Sequence, residues 1–177
     1  MTCERQQPTL ILMAGLPGAG KTTLAHALGR ALRWLVLDKD MYKSLFATIG
    51  MTDHLASALA YELSFDIALD ILTRQRMSVI FDSGALHPFI LNHATAIIDQ
   101  ANAQLKVILC SVSSEERYSR LSKRSTSLSP LHTKYGEAIA LQDDPRLFAH
   151  LPAHTLVMHT TKPLEECVTL ALNYIKQ

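Results

Sequence analysis

Residues Gly15 to Thr22 read Gly-Leu-Pro-Gly-Ala-Gly-Lys-Thr, with the apolar run Leu10-Ile-Leu-Met-Ala before them and the helical pattern Thr23-Leu-Ala-His-Ala-Leu after. Glycines at this spacing let the backbone turn tightly, so a buried strand must feed the turn and a helix must leave it. The N–H groups of such a turn point inward. Together with the positive end of the following helix they form a nest for polyphosphate. The pattern G-x-x-x-x-G-K-[ST] is complete, so Gly15, Leu16, Pro17, Gly18, Ala19, Gly20, Lys21, Thr22 and Thr23 are expected to bind nucleotide. Lys21 would reach the β and γ phosphates and the Thr22 hydroxyl would ligate magnesium, which makes ATP and Mg2+ the expected cofactors.

Further apolar runs at Trp34–Leu37, Ser78–Phe81, Lys106–Ser111 and Thr155–Met158 follow the first at Thr9–Ala14, with helical patterns between them. Such alternation predicts an α/β domain whose parallel sheet is covered on both faces. The 177 residues make one domain's worth of chain. A helix is predicted from Asp53 to Arg76, with Leu55, Leu59, Leu63, Ile67 and Ile71 as its core face and Glu62, Asp66 and Asp70 toward solvent. Ser113-Ser-Glu-Glu116 reads as a capping-box start for a helix to about Arg124, which puts Arg117, Arg120 and Arg124 on one face. Periodicity is lost after Arg124, and the segment from about 125 to 152 is expected to be a lid. Pro163, Glu165 and Glu166 open the last helix.

Charge and cysteine usage remove several classes of function. The formal net charge is +1, which gives no global electrostatic case for a nucleic-acid or membrane partner. Cys3, Cys110 and Cys167 are far apart and lack a C-x-x-C spacing, so neither a disulfide framework nor a zinc knuckle is indicated and a reducing compartment fits. The eight histidines show no metal-ligand spacing. The first residues carry no apolar signal segment and no stretch approaches a membrane span, so a cytoplasmic location is expected.

A phosphate loop specifies nucleotide, and the remaining side chains specify the reaction. Transfer of a γ-phosphoryl group needs a carboxylate to orient or deprotonate an acceptor hydroxyl, and cations to neutralise moving charge. Asp38 and Asp40 follow the second apolar run and Asp82 ends the third, so all three should project from the carboxyl edge of the sheet, beside the loop. Asp82 looks like a Walker B aspartate, a magnesium ligand alongside Thr22. Of Asp38 and Asp40, one is available to cap the short helix Met41–Thr48. Arg120 and Arg124, nearest the lid, are the candidates to neutralise transferring charge, and Arg117 is left as surface.

In order and spacing, the loop Gly15–Thr23, the segment Asp38-Lys-Asp-Met-Tyr-Lys43, the strand Val79-Ile-Phe-Asp82 and the segment Arg120-Leu-Ser-Lys-Arg124 resemble small P-loop kinases of the AAA_33 type. That group includes the phage-type polynucleotide kinase domain, zeta-toxin relatives and antibiotic phosphotransferases. The resemblance implies a three-layer P-loop kinase fold over 1–177, with a five-stranded parallel sheet in the order 2-3-1-4-5. It makes Asp40 the base, Arg120 and Arg124 the lid arginines, and Thr160-Thr-Lys-Pro163 the adenine-side loop. Asp38, Asp40, Tyr42 and Lys43 would meet the acceptor, with Phe46, Met51 and His54 as further walls within Met41–Glu62.

Lys43 stands where the polynucleotide kinases have arginine, and lysine cannot make the planar two-pronged grip on a phosphate. With only Trp34 and dispersed Tyr and Phe residues, the chain also lacks a basic, aromatic-lined strand channel. A small-molecule hydroxyl acceptor is therefore expected ahead of a polynucleotide 5′-hydroxyl. The reading from another class is a nucleotide-dependent switch or NTPase that acts through a protein partner.

Overall fold

The computed structural model describes residues 7–124 and 145–177. Five strands, β1 (Thr9–Ala14), β2 (Leu35–Asp38), β3 (Val79–Asp82), β4 (Gln104–Ser111) and β5 (Leu156–His159), pair in parallel in the order β2-β3-β1-β4-β5. The helices are α1 (Lys21–Leu32), α2 (Lys39–Thr48), α3 (Asp53–Thr73), α4 (Pro88–Ala101), α5 (Ser114–Arg124) and α6 (Leu164–Ile175). The sheet order is the one the sequence resemblance implies.

The central strand shows why both faces are covered. Alternate residues of a strand point to opposite faces. Leu10, Leu12 and Ala14 enter one core with Phe81, Val107 and residues of α3 and α4, while Ile11 and Met13 enter the other with Ile80, Ile108 and residues of α1 and α6. Every residue of β1 is buried, as a strand sandwiched between two helical layers must be.

Element boundaries move by a residue or two from those expected. Trp34 lies before β2 because Arg33 closes α1 in a left-handed conformation, φ 57°. Ser78 precedes β3, and its hydroxyl instead accepts from the Thr9 amide at 3.0 Å. In α3 the expected face meets the core only in its second half, where Ile71 is buried and Ile67 packs on the core. Leu55 and Leu63 are exposed, and the buried row is Ala56, Ala60, Ser64 and Ala68, joined by Phe65, Ile71 and Leu72. A row of small side chains lets α2 and α4 approach α3 closely, which large leucines would prevent. Glu62 and Asp66 face solvent as expected.

Ser113 accepts from the Glu116 amide at 3.3 Å, the first half of the expected capping box. The Glu116 carboxylate turns instead to Arg120. Most of the expected lid, 125–144, lies outside the described residues, as does the Arg124 side chain. Its final part, 145–152, is anchored: Phe148 and Leu151 pack on the core, and His150 Nε2 is 3.1 Å from the Ala85 carbonyl oxygen.

Gly15 and Gly50 separate two costs that a glycine can hide. At Gly15, φ is +135° and a Cβ would lie 2.5 Å from the Cys110 carbonyl oxygen, whereas at Gly50, φ is +86° and a Cβ would meet open space. Gly50→Ala should cost about 1 kcal/mol of stability from backbone strain alone. Gly15→Ala should lose more than about 2 kcal/mol, because strain and collision with a strand backbone add. Urea unfolding of the two variants checks this, and equal losses would exclude the steric contribution at Gly15.

Candidate active site

Strand β1 delivers the chain to the carboxyl edge of the sheet, where the glycine loop turns it into α1. Gly15, Gly18 and Gly20 all have positive φ, and the loop is tied down by the Gly15 amide donating to the Gly84 carbonyl at 3.0 Å and the Ala19 amide donating to Leu16 at 3.1 Å. Helix α1 begins at Lys21 with no side-chain cap. Its first amides are therefore available to an anion. Lys21 Nζ donates to the Leu16 carbonyl at 3.0 Å. Burial lowers its pKa, an effect that the nearby carboxylates of Asp82 and Asp40 oppose.

Asp82 ends β3 and is 5% exposed. Its carboxyl is pushed above the ordinary range by burial, against the hydrogen bond donated by the Thr22 hydroxyl and the charge of Lys21. The structure thus brings together the two residues expected to hold magnesium. Among the described residues no group of three or more His, Cys, Asp or Glu side chains forms a metal cage. One hydroxyl and one carboxylate beside a phosphate nest suit Mg2+ all the same, since that ion takes hard oxygen ligands and keeps several waters and phosphate oxygens. Asp38 lies opposite Asp82 in the β2–β3 register.

The two candidate bases separate by what their oxygens do. Asp38 accepts from the Asp40 amide at 2.9 Å and caps α2, an arrangement typically worth about 1 kcal/mol. Asp40, in the first turn, has its Oδ1 2.6 Å from Lys39 Nζ. Burial alone would raise its pKa, but the charge and hydrogen bond of Lys39, with Lys21 and Lys43 behind, hold the carboxyl below its ordinary value. Lys43 is engaged by Asp53 at 3.0 Å, a tie between α2 and α3. Tyr42, Phe46 and Met51 are half-buried and His54 is exposed.

Sequence reasoning missed three features. Lys39 lies between two aspartates in sequence, yet its side chain is only 13% exposed and stands over the Tyr61 ring, 5.1 Å from the centroid. Tyr61 belongs to an aromatic cluster with Phe65, Phe81 and Phe89 that no local pattern announces. Arg117 is 1% exposed rather than at the surface, and packs against Pro17 and Gly18 of the phosphate loop. The sequence signal for Arg117 was its place at the front of α5, next to the loop that follows β4.

Arg120 faces the turn after β5. Its Nη1 and Nη2 donate to the Thr160 hydroxyl and carbonyl at 3.1 and 2.9 Å, and its Nε to Glu116 at 2.8 Å. A cleft of about 360 Å³ opens there, lined by Gly20, Thr23, Arg120, Thr160 and Leu164 among others. It adjoins the loop at the first turn of α1.

Known proteins share this fold. The AAA_33 family model, described as an AAA domain, matches residues 10–137. Among curated proteins there is no matching sequence. Solved structures share the fold across nearly the whole chain. A candidate kinase from Chloroflexus aurantiacus J-10-fl aligns with a TM-score of 0.75 at 23% identity, covering 97% of each chain. The Mycobacterium tuberculosis APS kinase, in complex with AMPPNP and APS, aligns at 0.70 and 15% identity, covering 97% of this chain and 99% of that one. A gluconokinase from Sinorhizobium meliloti 1021 aligns at 0.63 and 19%, covering 96% and 93%. Among the described residues no helix is long and apolar enough to cross a membrane.

Proposed function

The chain belongs to the AAA domain family matched over residues 10–137, and from that premise we propose that it is a phosphotransferase, moving the γ-phosphoryl group of Mg·ATP to a hydroxyl of a small molecule. The observation that carries this reading is a second carboxylate. The Lys21 ammonium feels the charge of Asp82, which is bonded to Thr22, and of Asp40, which stands in the first turn of α2 outside that pair. A switch or simple NTPase needs the first carboxylate. A transferase also needs the second, beside the γ-phosphate, to orient an acceptor.

The loop amides and Lys21 would hold the phosphates, and the base would enter the cleft that Gly20, Thr23, Arg120 and Thr160 line. Thr22 and Asp82 would hold magnesium, which supplies charge neutralisation at the β and γ oxygens. Asp40 accepts a hydrogen bond from the acceptor hydroxyl and aims its oxygen at the γ-phosphorus. As that oxygen forms its bond and the bond to the β–γ bridging oxygen breaks, the hydroxyl proton passes to Asp40. Because its pKa is held low, Asp40 positions the oxygen first and takes the proton late, which suits a loose transition state. Arg124 is proposed to neutralise the transferring group. Arg120, expected from the sequence to neutralise the same charge, is hydrogen-bonded to Thr160 and is proposed to serve the base side. Lys43, tied to Asp53 and unable to make a planar two-pronged grip on a phosphate, favours a small acceptor over a polynucleotide.

A panel of sugars, hydroxy acids, nucleosides, antibiotics and a 5′-hydroxyl oligonucleotide, each offered with γ-labelled ATP, tests the proposal. Label is expected on a small hydroxyl compound and absent from the oligonucleotide. Label appearing only as inorganic phosphate, whatever the acceptor, would favour the switch.

A further inference from the structure

Beside Asp40 lies a surface that phosphate binding does not use. Lys39 is fixed between the Asp40 carboxylate at 2.6 Å and the Tyr61 ring at 5.1 Å. Tyr61 meets Phe89 edge-on at 5.7 Å, and Phe89, at the start of α4, is 45% exposed with the His87 ring nearly parallel to it at 5.9 Å. A cation therefore sits on the carboxylate assigned to the acceptor, and an aromatic row runs from that cation through Tyr61 to the exposed Phe89.

The two features have chemical consequences for what binds there. An ammonium has three N–H donors, and Asp40 takes one of them. A hydroxyl pointing its proton at Asp40 can carry the substituent on its neighbouring carbon to Lys39 Nζ, which lies 2.6 Å from the same carboxylate. An oxygen anion on that substituent gains a charge-assisted hydrogen bond. Lys21 already faces the carboxylates of Asp82 and Asp40, and Lys39 that of Asp40, and the triphosphate adds more negative charge. A monoanion is tolerated there better than a dianion. The exposed Phe89 ring, with Tyr61 behind it, offers apolar area that only a flat or ring-shaped partner covers well.

We infer that the acceptor is a hydroxy acid, its carboxylate held by Lys39 beside the hydroxyl and its ring or flat apolar part laid against Tyr61 and Phe89. This deepens the phosphotransferase reading and rests on it.

The test uses three probes on protein saturated with Mg·AMPPNP, so that the phosphate nest is filled: mandelate, the neutral 1-phenylethane-1,2-diol, and phenyl phosphate. Affinities are read by ligand-observed NMR titration. Mandelate should bind about 10-fold more tightly than either of the others, the scale of one charged hydrogen bond. In Lys39→Met its advantage over the diol should vanish, and Lys39→Arg should keep part of it. Phe89→Ala should weaken mandelate and diol alike. If Lys39→Met fails to fold, as circular dichroism would show, the wild-type preference and Phe89→Ala decide. Mandelate binding no tighter than the diol, a preference that survives in folded Lys39→Met, or Phe89→Ala leaving both affinities unchanged, overturns the inference. Phenyl phosphate binding as tightly as mandelate overturns the assignment to a carboxylate. Labelled-ATP turnover is scored separately, so loss of the probe preference with turnover intact rejects only the hydroxy acid, and absence of transfer to any acceptor rejects the phosphotransferase.

Discussion

Lys21→Ala should abolish turnover, or lower it by at least about 10²- to 10³-fold, the scale of losing one preorganised charge from a transition state, while the protein stays folded. The residue's one described hydrogen bond is to Leu16 in its own loop, so no distant contact is lost. The direction of the stability change follows from its pKa. Burial lowers it, which means that folding disfavours the charged ammonium at neutral pH, and removing that ammonium removes the penalty. The nucleotide-free variant should melt at the wild-type temperature or above, and the rise produced by Mg·ATP should disappear. Calorimetry with unchanged ATP affinity, together with unchanged turnover, would remove the phosphate-loop reading.

Asp40→Asn should lower kcat by about 10²- to 10⁴-fold with ATP affinity nearly preserved, because it removes a group that meets the acceptor and not the nucleotide. Asp38→Asn is the comparison. Asparagine caps a helix about as well as aspartate, so its kinetic loss should be far smaller. A fast Asp40→Asn beside a slow Asp38→Asn would transfer the role. The pH profile adds a signed check. Burial raises the Asp40 pKa, and the charge and hydrogen bond of Lys39 together with the charges of Lys21 and Lys43 more than reverse this, so Asp40 is ionised throughout the neutral range and its acid limb lies below the ordinary carboxylate value. Deleting Lys39 removes the largest of the contributions that oppose burial, and the limb should move to higher pH in Lys39→Met.

What could be read without coordinates was whatever short-range rules determine. The glycine loop depends on a few adjacent residues, and the parallel strands announce themselves as apolar runs. The pairing of Thr22 with Asp82 was within reach because each carries its own local signal, one from the loop and one from the strand end. Arg117 was misread because a charged residue in a polar helix is ordinarily solvated. Its burial comes from Pro17 and Gly18, a hundred residues earlier. The aromatic wall is equally non-local: Tyr61, Phe81 and Phe89 come from α3, β3 and α4, and no periodicity within one element links them. On α3 the leucines drew the eye, whereas close packing selected the alanines beside them.

The Thr160 hydroxyl donates to the Ala19 carbonyl at 2.8 Å, its amide donates to Ser111 at 3.0 Å, and Arg120 grips it from α5. The turn proposed to meet the base and the loop proposed to hold the phosphates are consequently tied into one piece. Such a piece acts as a ruler: the span from base to phosphates is set before any nucleotide arrives, and little ordering entropy is left for binding to overcome. Nucleotides would then be sorted by length, and a shortened or stretched polyphosphate could reach one end of the ruler only by letting go of the other.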